Sequence, residues 1–252
     1  MIEREGGLGL LFLHNPRLRN ALTEEVVSQL RTALIKLSQD DQLRALIIGS
    51  AVEGVFVSGG NIRELHALAG CRGGLQFAEA MQAVFKMIED FSRPVLVVIN
   101  GYCLGAGAEL AMAADIRIAS DSAVFASPQL SLGIIPGLGG GQRMIRLSRV
   151  GQAKRLVLTG ERIGAAEALR LGLVECVTPA HELWDVAKSI ARRLCSKPRS
   201  ALALAKRALN YSSQANLKAG CAYEAGQFGL ACQDAWTGRP IPIRLRDAGE
   251  CS

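Results

Sequence analysis

Five consecutive apolar residues, Val95 to Ile99, pass without a break into Asn100, Gly101 and a run of small residues ending at Asp115. An apolar run of that length, bounded by turn formers, reads as a buried strand. Gly101, Gly105 and Gly107 shape a bend after it, and a helix of small residues follows. One carboxylate, Glu109, stands on that otherwise apolar helix. Burial strips the hydration from a charged Glu, so Glu109 is paired, exposed after all, or kept for chemistry. Its spacing favours chemistry. The first N–H groups of a helix lack an intrahelical acceptor and lie at the positive end of the helix dipole. With the helix starting near Gly105, the Ala106 N–H is such a donor, and Glu109 lies three residues on, along the same face. One helix end then offers an oxyanion donor and an acid/base close together.

The rest of the chain is compatible with a large core around that strand. It has 252 residues, 49% of them hydrophobic, which fits one domain with an appendage as well as two domains. Aromatics make up 5% and there are 27 glycines, so the layers are expected to pack through Ala, Val, Leu and Gly. No apolar run reaches the ~18 residues of a membrane span, and the first residues carry neither a signal nor a transit pattern. The seven cysteines form no CxxC pair, which points to reduced thiols in a cytoplasm and away from disulfides or zinc. The net charge of +6 fits an anionic ligand and equally a merely basic surface. The basic residues are spread along the chain with no stripe, which argues against nucleic acid.

Along the chain, strands are expected at Leu8 to Leu13, Leu43 to Ile48 and Val55 to Val57. Thr23 caps a helix whose apolar residues fall at 26, 27, 30, 34 and 37. Asn61 caps a short helix through Leu65, and Leu75 to Phe91 is a long amphipathic helix. Beyond the central stretch come short strands at 116–119 and 123–125. Pro128 to Pro136 is an irregular connector, and Gly137 to Gly141 opens a helix through Leu147. Helices near 151–158 and 165–171 precede a strand at 174–177. Residues 180–194, 198–211 and 217–231 are helical by period. After Gln233 the pattern changes, with Pro240 and Pro242 breaking any helix. Strands and helices alternate for about 180 residues before a helical region, so the class is α/β.

Ser58-Gly59-Gly60-Asn61 and Gly105-Ala106-Gly107 each follow a strand and open a helix. Two such bends in one domain suggest a pair of backbone donors for one oxygen. The Gly137 to Gly141 run does not fit a dinucleotide loop, because Pro136 precedes it and Glu161 closes no clear strand. His14, His66 and His181 lie too far apart in sequence for a metal-ligand spacing, so no metal is expected. Arg17 and Arg19 fit a phosphate contact as well as a solvated loop.

These motifs, in this order, resemble the crotonase (enoyl-CoA hydratase/isomerase) family. The likeness runs from about Leu8 to Ala231. It rests on Asn15-Pro16 with Asn20-Ala21-Leu22, on Phe56 to Ile62, and on Gly101 to Asp115. It continues through Pro128 to Pro136 with Gly137, Gly139, Gly140, Gln142 and Arg143, then Leu158-Thr159-Gly160, Ala165, Ala168 and Gly172-Leu173-Val174. The resemblance implies a spiral of ββα units with a helical C-terminal region, assembled as homotrimers or dimers of trimers. The expected division is a spiral ββα acyl-CoA-binding core at 1–195 and a helical C-terminal region with a divergent tail at 196–252. The resemblance also implies an acyl-CoA substrate and no permanently bound cofactor, coenzyme A being part of the substrate. The thioester oxygen would be held by the N–H groups of Gly60 and Ala106. Ser58, Asn61 and Ile62 would lie along the CoA, with Arg19 near its phosphates. A cytoplasmic place in fatty-acid metabolism goes with this reading.

Three positions depart from the family pattern. Hydratases of the family carry two glutamates. Glu109 matches the first, but Gln129 stands where the second is expected. An amide can hold a water but cannot serve as a carboxylate acid/base. Asn61 replaces an Asp, and the tail after Gln233 does not match the closing helix. The expected activity is enoyl-CoA hydration with Glu109, Gln129 and the two backbone donors at the site. Double-bond isomerisation is the alternative, and a weakly active CoA- or RNA-binding relative a further one.

Overall fold

The computed structural model describes residues 1–68 and 70–236. Its strands are β1 (Ile2–Glu5), β2 (Leu8–Leu13), β3 (Ala45–Ser50), β4 (Val55–Val57), β5 (Val95–Ile99), β6 (Tyr102–Leu104), β7 (Ile116–Ser120), β8 (Val124–Ala126), β9 (Ile163–Gly164) and β10 (Cys176–Thr178). The helices are α1 (Glu24–Ser38), α2 (Ile62–Ala67), α3 (Gly70–Glu89), α4 (Ala106–Ala111), α5 (Gly140–Leu147), α6 (Val150–Thr159), α7 (Ala165–Arg170), α8 (Leu183–Cys195), α9 (Arg199–Ser212) and α10 (Leu217–Trp236).

The larger sheet has the order β1-β2-β3-β5-β7-β10, and the smaller one β4-β6-β8-β9. All neighbours from β2 to β10 in the large sheet are parallel, as are β4, β6 and β8 in the small one. A regular device follows from this order. β3, β5 and β7 lie in the large sheet, and the strand after each, β4, β6 or β8, lies in the small one. A helical segment then returns the chain. Three turns of this ββα unit wind the chain into the spiral that the resemblance implies.

Parallel strands are covered on both faces, so their sequence shows no polar alternation. In β5 every residue is buried. Val95, Val97 and Ile99 face the main core with Leu46, Ile48 and Phe85. Leu96 and Val98 face the other way, onto Leu183, Ala187 and Ala191 of α8. Helix α1 starts where the sequence places it: Thr23 Oγ1 accepts from the Val26 N–H at 3.1 Å, and Val27, Leu30, Leu34 and Leu37 form its buried stripe.

Some elements differ from expectation. The strand expected from Leu43 begins at Ala45, because the Leu43 N–H closes a turn onto the Asp40 carbonyl and the Arg44 N–H donates to Gly7 between β1 and β2, so the ladder starts with Ala45 opposite Leu8. Helix α3 begins at Gly70, earlier than its apolar period. Strands β1, β6 and β9 have no sequence signal of their own. β1 is an edge strand, and the other two span three and two residues.

The chain divides into two compact units, the first being Met1–Arg199 and the second beginning at Ser200. Within the second, the Tyr211 and Tyr223 rings stack at 4.3 Å. Helix α10 continues past the expected end at 231, to Trp236. The divergent tail beyond it lies outside the described residues. The six described cysteines are free thiols.

Candidate active site

Each ββα unit ends its small-sheet strand in a bend, and two of these bends meet. β4 leads into Ser58-Gly59-Gly60, and β6 into Gly105 and α4. A Cβ placed on Gly105 would lie 3.9 Å from Gly59 Cα and 3.6 Å from Gln129 Nε2. Gly59 and Gly105 both have positive φ, 128° and 50°, where a side chain would be strained. Gly107 lets α4 approach β4 closely: a Cβ there would meet Val57 Cβ at 2.6 Å.

The geometry leaves one N–H free at each bend. Leu22 bridges Gly60 in parallel fashion, donating to Gly59 O and accepting from Asn61 N. In such a bridge the amide between those two groups faces away from the partner, which leaves the Gly60 N–H outside it. Ala106 is the first residue of α4, so its N–H has no intrahelical acceptor. Among the described residues, no turn or loop carbonyl takes either N–H.

Both bends line a cavity of about 590 Å³. Ser58, Gly60, Ile62, Ala106, Glu109 and Gln129 all lie on its wall. Leu65, Phe77, Met81, Leu132, Ile134 and Leu138 make much of the remainder apolar. The other two candidates from the sequence lie differently. Asn61 spends its side chain on α2, accepting from the Arg63 N–H and donating to Glu64. Arg19 is exposed and off the cavity wall, but its carbonyl accepts from the Ser58 N–H at 3.2 Å, so its loop adjoins the first bend. Asn20 fixes that loop from below, donating to Ser50 Oγ at 2.8 Å and to the Phe56 carbonyl at 3.1 Å.

Glu109 is 2% exposed. Its Oε1 accepts from the N–H groups of Leu138 and Gly140, both at 2.9 Å. Its Oε2 accepts from Gln129 Nε2 at 3.1 Å. Burial pushes its pKa above the ordinary carboxylate value. The Gly140 and Leu138 amides, the Gln129 amide and the charge of Arg143 pull it back down. With both lone pairs of Oε1 engaged, Oε2 is the oxygen left to exchange a proton. Gln129 sits in a 3-10 turn, Pro128–Leu132, and is 8% exposed. Its Oε1 is buried with no hydrogen-bond partner.

The role of the Gly137 to Gly141 run was not legible as sequence. It is the cradle of Glu109. A Cβ on Gly140 would fall 2.1 Å from Glu109 Cγ. The signal was present: five residues rich in glycine at a helix start, beside a lone buried carboxylate. Nothing in the sequence joined the two. Among the described residues, no cluster of His, Cys, Asp or Glu could hold a metal ion, and no helix is long and apolar enough to cross a membrane.

A ββα spiral with a buried carboxylate on the wall of a deep, largely apolar cavity has the form of an enzyme for small molecules. The chain belongs to the enoyl-CoA hydratase/isomerase family, whose model matches residues 3–236. It is 37% identical over 229 residues to the short-chain-enoyl-CoA hydratase of Clostridium acetobutylicum, covering 91% of this chain and 87% of that one. It is also 37% identical over 250 residues to the crotonyl-CoA hydratase of Syntrophomonas wolfei, covering 98% and 96%. The crystal structure of an enoyl-CoA hydratase from Bacillus anthracis superposes with a TM-score of 0.86 at 32% identity, over 93% of this chain and 95% of that one.

Proposed function

We propose that this enzyme adds water across the double bond of a 2-enoyl-CoA thioester. The observation that carries the reading is Glu109. It is a buried carboxylate on the same cavity wall as two free backbone donors, with one oxygen turned toward Gln129. The names of the two curated relatives support it. In this reading the Gly60 and Ala106 N–H groups hold the thioester oxygen and stabilise the enolate that forms there. Gln129 Oε1 accepts one hydrogen of the water, and Glu109 Oε2 takes the other as the water oxygen bonds to C3. The same proton then passes from Glu109 to C2, so the carboxylate is restored. Ser58 and Ile62 lie along the CoA, beside Asn61, and Arg19 meets its phosphates. Trimeric assembly and a cytoplasmic role in fatty-acid metabolism belong to the same reading. Light scattering on the purified protein tests the first.

One observation favours a second reading. Among the described residues on the cavity wall, Glu109 is the sole carboxylate. Moving a double bond needs one base that carries a proton between two carbons, so isomerisation is open to this site.

The test is an assay on a panel of 2-enoyl- and 3-enoyl-CoAs with the products separated. A 3-hydroxyacyl-CoA product is expected, and a moved double bond alone would transfer the assignment to isomerisation. The panel also tests residue 129. Gln129→Glu is expected to hydrate at least about 10-fold faster, since a second positioned acid/base contributes typically 10²–10⁴. The two carboxylates would then lie within hydrogen-bond reach and share a proton, so the pH optimum should move upward. No gain at any pH would mean that residue 129 does not face the water or that the native reaction is not hydration.

A further inference from the structure

Helix α3 makes the wall of the cavity with Phe77, Ala78 and Met81, and its next residue grips the loop that holds Glu109. Gln82 Nε2 donates to the Gly137 carbonyl at 2.7 Å. That carbonyl belongs to the same peptide group as the Leu138 N–H, which donates to Glu109 Oε1 at 2.9 Å. One peptide plane therefore stands between an amide side chain on α3 and the buried carboxylate on α4. The second donor has the same arrangement. The Gly140 N–H shares its peptide with the Gly139 carbonyl, which accepts from the Arg143 N–H at 3.0 Å. That bond is made by the backbone of α5 and is fixed by the helix. The Gln82 bond is made by a side chain.

We propose that Gln82 is a positioning residue for Glu109, acting through the Gly137–Leu138 peptide to aim and strengthen the amide that binds Oε1. A peptide whose carbonyl accepts a hydrogen bond is polarised and becomes a stronger N–H donor, by roughly 10–30% per bond. A stronger donor favours the ionised carboxylate. The proposal rests on the reading of Glu109 as the acid/base only for its effect on rate. The link to the carboxylate itself is geometric.

The groups around Glu109 leave this contribution separable. On α5 the charged neighbour is Arg143, whose guanidinium donates to Glu89 at the end of α3 and to the Leu138 carbonyl. Lys86 lies 3.8 Å from the same Glu89. The turn carrying Gln129 and strand β4 bring no charge, and β6 brings the exposed Tyr102 and Cys103, a thiol kept neutral by burial. Gln82 is exposed on a helix, so Gln82→Leu removes the donor without opening the core. Gln82→Asn keeps a neutral amide donor on a shorter side chain, so any recovery there owes nothing to an added charge.

The experiment follows the ¹³C resonance of the Glu109 carboxyl against pH in the full-length protein, assigned by its loss in Glu109→Gln, together with the pH profile of kcat/KM. Gln82→Leu is expected to raise the proton affinity of Glu109 roughly two-fold, and Gln82→Asn to return it part of the way toward wild type. The acidic limb of kcat/KM should move upward by the same amount, with the plateau at high pH preserved. A merely structural role would lower the plateau and leave the limb in place. An unchanged carboxyl titration in Gln82→Leu overturns the proposal. A shifted titration with an unshifted limb supports the link and removes Glu109 from the chemistry.

Discussion

Glu109→Gln is expected to lower turnover of enoyl-CoA by a factor on the order of 10²–10⁴ or more, while making the protein more resistant to heat at neutral pH. The first effect follows from the loss of the one carboxylate on the cavity wall. The second follows from its burial, the largest influence on its pKa, which raises it above the ordinary value of 4.5. A carboxyl whose folded pKa is raised binds its proton more tightly in the fold than in the unfolded chain. Its contribution to stability is therefore full below the unfolded value and is lost as pH rises through the folded one. A neutral amide at this position has no such loss. It can also satisfy its neighbours. Its carbonyl oxygen can take the Leu138 and Gly140 N–H groups. Its NH₂ group would oppose Gln129 Nε2, but turning the Gln129 amide over presents Oε1, which is buried and otherwise unpartnered. Melting temperatures of both proteins across pH 4 to 8 give the check. The variant's advantage should grow as pH rises above about 4.5 and then level off. A dead variant that melts lower at every pH would mean the carboxylate is a structural anchor. Near-normal turnover would move the proton transfer to another group.

How much of this was legible in the sequence varies with the range of the interactions involved. The β5 run, the Thr23 and Asn61 caps and the amphipathic α1 are local patterns, and each falls where its residues place it. Glu109 could be singled out because one charge on an apolar small-residue helix is anomalous by itself. The two glycine bends could be paired because each repeats the strand–glycine–helix pattern. The division of strands between two sheets has no local pattern. β6 is three residues long, and its partners β4 and β8 lie far from it in sequence. The donors to Glu109 were hidden for the same reason. Leu138 and Gly140 act through backbone N–H groups about 30 residues away, so their side chains carry no mark of the role. In the sequence Gln129 reads only as a missing acid. The contact between its Nε2 and Glu109 Oε2 depends on the spiral bringing the Pro128 turn beside α4.

Gly140→Ala is expected to cost activity on the order of 10²-fold or more, and Gly141→Ala next to it to cost almost nothing. The two glycines open the same helix and look interchangeable in sequence. Their surroundings differ completely. A Cβ at 140 would stand 2.1 Å from Glu109 Cγ and 2.8 Å from Oε1. These are not positions that a flexible tip can vacate at no cost, because Oε1 is pinned by the amide of residue 140 itself. Either Glu109 swings off its two donors, or the start of α5 retreats and takes the Leu138 and Gly140 N–H groups with it. A misplacement of about 1 Å at a catalytic group can cost 10²-fold in rate. Overpacking of this kind costs stability by ~1–3 kcal/mol, so the variant should still fold. At 141 a Cβ meets nothing within 4 Å. Alanine there improves helix propensity by up to ~1 kcal/mol and leaves the carboxylate untouched. Steady-state kinetics on one enoyl-CoA, with thermal melts of both variants, separates the cases. The expected pattern is a large fall in kcat for Gly140→Ala with KM little changed, since the acyl-CoA contacts proposed at Ser58, Gly60 and Ala106 lie on other elements. Full activity in Gly140→Ala would show that the cradle is not needed to hold Glu109 in its reactive position, and equal losses in both variants would point to the helix start as a whole rather than to the carboxylate.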